Sequence, residues 1–223
     1  MNIFDILGPV MVGPSSSHTA GAARIGLMAR SLLGEGTPSN AEITLYGSFA
    51  ATGQAHGTDR ALIAGLLGMK PDDERIAVSF DWATAAGMAF TFTRSKSFAE
   101  HPNTARLDIE SKSGRKLSMT ASSLGGGRIM VTEMNGMHAS FSGDLPTLIV
   151  QNVDRPGYVG DVTSTLASAS VNIATVQLYR NHPGGNAVMV IETDKSVPQP
   201  VLDKLSLTEG ITRVVFIGGE RNK

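Results

Sequence analysis

The chain has 223 residues, 41% of them hydrophobic, with 19 Lys and Arg against 20 Asp and Glu for a net charge of −1. That length allows one large or two modest globular domains; the balanced charge with no basic stripe speaks against a nucleic-acid footprint, and no run of roughly 18 apolar residues offers a membrane span. The sequence holds no cysteine, which excludes disulfides, thiolate nucleophiles and a Cys-ligated zinc or iron–sulfur centre built by this chain alone.

Residues 1–11 contain Asp5 and neither Lys nor Arg, which is unlike a signal peptide, so a cytoplasmic protein is expected. Residues 2–12 are apolar-rich and lead into Gly13-Pro14-Ser15-Ser16-Ser17-His18-Thr19. Residues 20–33 read as a helix, because Ile25, Met28, Ala29 and Leu32 recur at helical spacing and Gly34 lies just past the end. Residues 41–47 alternate as a strand. Residues 57–67 form a second helix closed by Gly68 and Pro71. Strands follow at 89–93, 104–111, 116–121 and 128–134, the last two flanking Gly125-Gly126-Gly127. The lone Trp82 is expected to fill a core or an interface.

A turn-rich run, residues 140–146, interrupts the apolar pattern. It separates a first, α+β domain (1–144) from a second (147–219). In the second, an apolar strand at 147–150 meets the turn Asp154-Arg155-Pro156-Gly157. An amphipathic helix at 158–169 presents Val159, Val162, Leu166 and Ala169 on one side. Strands at 173–180 and 187–193 flank a hairpin turn, and a short helix at 199–207 precedes a last strand at 211–217. The order is βαββαβ, the ferredoxin-like arrangement.

Two segments carry the chemistry. In the first, three consecutive serines, Ser15, Ser16 and Ser17, with Thr19 surround His18 at a helix mouth. Their hydroxyls can cap the free amides of the first turn, and the same amides attract a carboxylate or phosphate. His18 adds a group that exchanges a proton near neutral pH. One serine would suffice as a cap, so four hydroxyls with a histidine point to a site. In the second segment, His56 stands before Gly57, Thr58 and Asp59 at another helix entrance. Two such loops suggest one convergent pocket. The turns His101-Pro102-Asn103-Thr104 and Gly125-Gly126-Gly127 read as structural.

GPSSSHT before a helix, then YGSFAATGQAHGTD, HPNT and SSLGGG, in that order, resemble the beta segment of iron–sulfur-dependent bacterial L-serine dehydratases. The run TLIVQNVDRPGYVGDVTSTLASASVNIATVQ resembles an ACT domain, as found on the beta chain of the two-chain form. The chain departs from the family at Ala20-Gly21-Ala22, where many relatives carry Gly-Pro; that should alter the helix start slightly and not the chemistry. The resemblance implies L-serine ammonia-lyase activity, giving pyruvate and ammonia without pyridoxal phosphate. It implies a [4Fe-4S] cluster ligated by a separate alpha chain, whose open iron polarises the serine hydroxyl, and no metal held by this chain. In that reading Ser15, Ser16, Ser17 and Thr19 cradle the substrate carboxylate. His18 and His56 do the acid–base work, unassigned between them, with Asp59 orienting one. Asp154, Gly157, Asn172 and Ile173 match positions where ACT domains bind a small amino acid at an interface formed by self-association. The alternative is a purely regulatory amino-acid-binding module, since allosteric and ACT domains occur in this order in some phosphoglycerate dehydrogenases.

Overall fold

A computed structural model describes residues 11–12 and 15–219. The apolar-rich segment 2–10 and Gly13-Pro14 lie outside the described residues. The chain forms two compact units, 1–135 and 136–223.

In the first unit a π-helical turn, Ser16–Gly21, runs directly into α1 (Ala22–Leu33). The sequence places one regular helix from residue 20, but the widened turn begins four residues earlier. Strand β1 (Asn40–Leu45) is followed by a short helix, α2 (Gly47–Thr52), and by α3 (Thr58–Leu66). A 3-10 turn (Glu74–Val78) and α4 (Ser79–Ala85) precede β2 (Ala89–Arg94). Strands β3 (Thr104–Glu110), β4 (Lys116–Gly125) and β5 (Arg128–Met134) complete the sheet of this unit. Within it the strands lie in the order β2-β1-β3-β4-β5, parallel between β1 and β2 and antiparallel elsewhere.

Helix α1 packs along α3 and against β3, β4 and β5. The apolar positions that define its period, Ile25, Met28, Ala29 and Leu32, are all buried, as are Leu62, Ile63 and Leu66 of α3. The helices approach so closely because Gly26 and Gly65 face each other. A Cβ on Gly26 would stand 2.3 Å from the Leu62 carbonyl oxygen, and one on Gly65 2.1 Å from that of Ala23. The alternate positions of the strands carry Glu42, Arg106, Asp108, Ser118 and Thr120, with Arg106 paired to Asp108 at 3.0 Å. Trp82, expected in a core or an interface, is 47% exposed within this chain, with the Arg75 guanidinium 5.4 Å from its ring centre.

The second unit opens with β6 (Met137–Phe141), so residues 140 and 141 of the turn-rich run end a strand in which Ala139 and Phe141 are buried. Then come β7 (Thr147–Val153), α5 (Tyr158–Ser168), β8 (Ile173–Arg180), β9 (Asn186–Thr193), α6 (Gln199–Ser206) and β10 (Ile211–Ile217). The antiparallel sheet β10-β7-β9-β8 has the expected ferredoxin-like order. One face of it, with Leu148, Val150, Met189 and Ile191, packs with Val162 and Leu166 of α5 and with Val201 and Leu205 of α6.

Candidate active site

Two of the four sequence blocks, GPSSSHT and YGSFAATGQAHGTD, meet around the His18 imidazole, and the other two pack against the elements that carry them. Ser15, in extended backbone, caps the π turn by accepting a hydrogen bond from the His18 amide at 3.2 Å. The turn is one residue wider than an α-helical turn, a form that recurs at functional sites. It places the His18 ring with Nδ1 3.3 Å from both the Ser15 and Ser17 hydroxyls. On the other side Nε2 lies 3.2 Å from the hydroxyls of Ser48 and Thr52. The His56 ring stands 4.9 Å away between centres, and Phe49 turns an edge to His18 at 5.4 Å. Burial, and secondarily the neighbouring His56, hold the His18 pKa below its ordinary 6.5, with the Ser48 backbone opposing.

Local backbone explains why these groups converge. Helix α2 has no side-chain cap; instead the Pro102 carbonyl accepts hydrogen bonds from the Ser48 amide at 2.7 Å and the Phe49 amide at 3.4 Å. The approach requires Gly47, at φ +51, because a Cβ there would come within 2.6 Å of the Pro102 oxygen. The HPNT turn thus supplies the carbonyl that holds the start of α2. The His56 carbonyl accepts from the Thr19 hydroxyl at 3.3 Å, tying the two histidine segments together. Gly57, at φ +71, then turns the chain into α3. On the opposite side, Gly21 lies on Ser123 of the SSLGGG block, where a Cβ would meet the serine hydroxyl at 1.9 Å. The Gly127 carbonyl accepts from Arg24 at 2.8 Å.

Of the residues expected at a site, Ser15, Ser17, His18, Thr19 and His56 are joined by these contacts, and Ser16 opens the π turn. Thr19 is 3% exposed and its hydroxyl faces a backbone carbonyl. The Asp59 carboxylate accepts from the next amide, Arg60, at 2.8 Å, and makes no hydrogen bond to either histidine among the described residues. Ser48 and Thr52 were not singled out in the sequence. Their i, i+4 spacing, which puts two hydroxyls on one helical face, is the signal that could have found them.

Comparison with known proteins gives the family. Residues 2–85 match the family described as serine dehydratase beta chain, and residues 146–206 match the ACT domain. A probable L-serine dehydratase, beta chain, of Bacillus subtilis (strain 168) is 43% identical over 97% of both chains. The L-serine dehydratase, beta chain, of Peptoniphilus asaccharolyticus is 34% identical over 96% of both. The chain belongs to the serine dehydratase beta chain family. A D-3-phosphoglycerate dehydrogenase of Methanocaldococcus jannaschii also shares 31% identity, but over 50% of this chain and 21% of its own.

In the ACT domain of this beta-chain family member, the four candidate ligand positions separate into two groups. Asn172 and Ile173 line a cavity of about 380 Å³ with Thr163, Ser164, Ala167 and Val171, between α5 and the start of β8. Asp154 instead accepts from the Gly184 amide at 3.1 Å and from Arg180 at 3.0 Å, contacts that hold its carboxyl below the usual range. Gly157, at φ +103, precedes the first turn of α5. The Asn172 side-chain amide donates to the Asp194 carboxylate at 2.6 Å, fixing the corner that bounds the cavity.

Proposed function

We propose that this chain is the beta subunit of an L-serine ammonia-lyase that forms pyruvate and ammonia in the cytoplasm together with a separate alpha chain. The convergence of the two histidine-bearing segments on one site supports this reading most strongly, and near full-length likeness to two L-serine dehydratase beta chains accompanies it. The [4Fe-4S] cluster implied by the family does not fit this chain. The sequence has no cysteine, and among the described residues no group of three or more His, Cys, Asp or Glu is placed to hold a metal ion. The cluster and its chemistry belong in this reading to the alpha chain.

The chain's own contribution is binding and proton transfer. Serine's carboxylate requires hydrogen-bond donors, which Ser15, Ser16 and Ser17 supply at the turn preceding α1. Thr19, committed to the His56 carbonyl, holds the two loops together instead. Loss of a proton from serine Cα to an imidazole, with departure of the β-hydroxyl as water, leaves 2-aminoacrylate, which hydrolyses to pyruvate and ammonia. His18 and His56 are placed for the proton steps because a neutral imidazole accepts and an imidazolium donates near pH 7. Asp59 takes no orienting part in this scheme.

The ACT domain supplies regulation and self-association, with a small amino acid in the Asn172–Ile173 cavity. Strand β8 is an edge of its sheet and exposes Val176 and Leu178, features suited to pairing with a second copy. A purely regulatory module, as in phosphoglycerate dehydrogenases, has no need of paired imidazoles.

The purified chain, put through anaerobic iron–sulfur assembly, is expected to retain no iron and to release no pyruvate from L-serine. Bound cluster or turnover by the chain alone would contradict the division of labour.

A further inference from the structure

We propose that the free edge of β2 in the first unit is a dimerisation surface, on which β2 of a second copy of this chain adds antiparallel about a two-fold axis at Phe92. The surface is separate from the His18 site and from the ACT domain.

Strand β2 ends its sheet, and among the described residues no strand lies outside it. Its odd-numbered residues spend their backbone groups on β1. The Ala89 amide donates to the Ser39 carbonyl and the Ser95 amide to that of Leu45, both at 2.9 Å, at the two ends of an unbroken parallel register. Successive residues of a strand turn their N–H and C=O to opposite sides, so Phe90, Phe92 and Arg94 turn theirs to the free edge. Residues 89–93 carry neither a charge nor a proline, and no bulge interrupts their pairing with β1. The devices that usually guard an edge strand are therefore missing from this one.

The strand complements its own reverse, as a two-fold contact requires. With Phe92 on the axis, Phe92 faces Phe92 of the second copy and Phe90 faces its Arg94. These are hydrogen-bonded pairs, because they are the residues with outward backbone groups. Thr91 faces Thr93 between them, and no like charges are opposed. The Arg94 guanidinium donates to Gln54 Oε1 at 2.9 Å, a bond in its plane that leaves a flat face for the Phe90 ring of the second copy. The chain already makes one contact of this kind, with the Arg60 guanidinium 5.8 Å from the Phe80 ring centre. Phe90 and Phe92 are half-buried beside Phe80, with ring centres 5.0 and 6.3 Å from it. Pairing at Phe92 joins two such clusters across the axis, and aromatic cross-strand pairs stabilise a sheet.

The sequence has no cysteine, so single introduced cysteines report the pairing without background. Thr91 and Thr93 are exposed, on the sheet face opposite the phenylalanines. As a pair without hydrogen bonds their Cα atoms would lie about 4.5 Å apart, within disulfide reach. Full-length Thr91→Cys mixed with Thr93→Cys and oxidised should give several-fold more disulfide-linked dimer on a non-reducing gel than either variant alone. It should also exceed Lys112→Cys, exposed in the turn between β3 and β4. Thr91→Glu/Thr93→Glu, which sets carboxylates face to face, should lower the mass measured by light scattering at equal concentration, and Thr91→Lys/Thr93→Glu should restore it. Cross-linking in the mixture no greater than for Lys112→Cys would overturn the proposal. So would equal cross-linking by Thr91→Cys alone, which requires another register. Loss of the cross-link on adding the alpha chain would assign the edge to that chain and overturn a second copy as its occupant.

Discussion

His18→Ala in the complex with the alpha chain should lower kcat by about 10²–10⁴-fold, the usual contribution of a general acid–base group, with iron content unchanged. Hydroxyls address both nitrogens of the ring, and the start of α2 is docked on Pro102 beside two of them. Its neighbours are neutral hydroxyls rather than a buried charge, so its removal costs the fold little compared with its cost to the reaction. Burial and His56 hold the His18 pKa below 6.5, so the proton-accepting form persists to more acidic pH than for an ordinary histidine. The acid limb of kcat/KM, which reports the free enzyme, should accordingly fall below 6.5. In the free chain, His56→Ala should raise the His18 pKa, because it removes the second of the two causes that lower it. Turnover near wild type in His18→Ala would eliminate this imidazole as a participant.

Gly65→Ala should destabilise the first unit by about 2 kcal/mol. Overpacking typically costs about 1–3 kcal/mol. Here the added methyl meets the Ala23 carbonyl oxygen at 2.1 Å and the Leu27 amide at 2.7 Å. Both are backbone atoms of a helix and cannot swing aside as a side chain would. The gain of up to about 1 kcal/mol from replacing a mid-helix glycine offsets only part of that. For a chain of this size the melting transition should fall by roughly 4–8 °C. Activity should fall with it, because α1 follows the His18 turn and α3 follows His56. Spreading the two helices pulls apart the Thr19–His56 bond and the two rings. A melting temperature at or above wild type, the outcome where a glycine has room for a methyl group, would show that the helices are not held at this distance.

The second unit was legible almost element for element, because its central strands are short continuous apolar runs, its helices carry apolar residues at 3.6 spacing, and turn residues punctuate each change of period. The body of α1 was legible for the same reason. Its opening was not: the π turn is written in Ser, His and Thr, where apolar periodicity has nothing to register. Strand β6 was hidden because its alternation, His138 and Ser140 against Ala139 and Phe141, spans five residues and merges with a Ser-Gly-Asp-Pro run. The two histidines stood out as histidines in small-residue loops at helix mouths. The hydroxyls that address His18 from α2 did not, since their position depends on a carbonyl about fifty residues further along the chain. Asp59 was expected to turn towards an imidazole, but at the first turn of α3 a free amide lies closer, and a short carboxylate satisfies it locally.

The central claim is that this chain brings the proton-transfer site and a second chain brings the iron. It is tested most directly by measuring pyruvate formed from L-serine by the alpha chain alone, by the alpha chain mixed with this chain, and by the alpha chain mixed with His18→Ala. Pyruvate is expected at an appreciable rate only with the wild-type chain present, and the His18→Ala mixture should assemble with the same iron content and remain slower by about 10²–10⁴-fold. Equal rates from the alpha chain with and without this chain would contradict the claim.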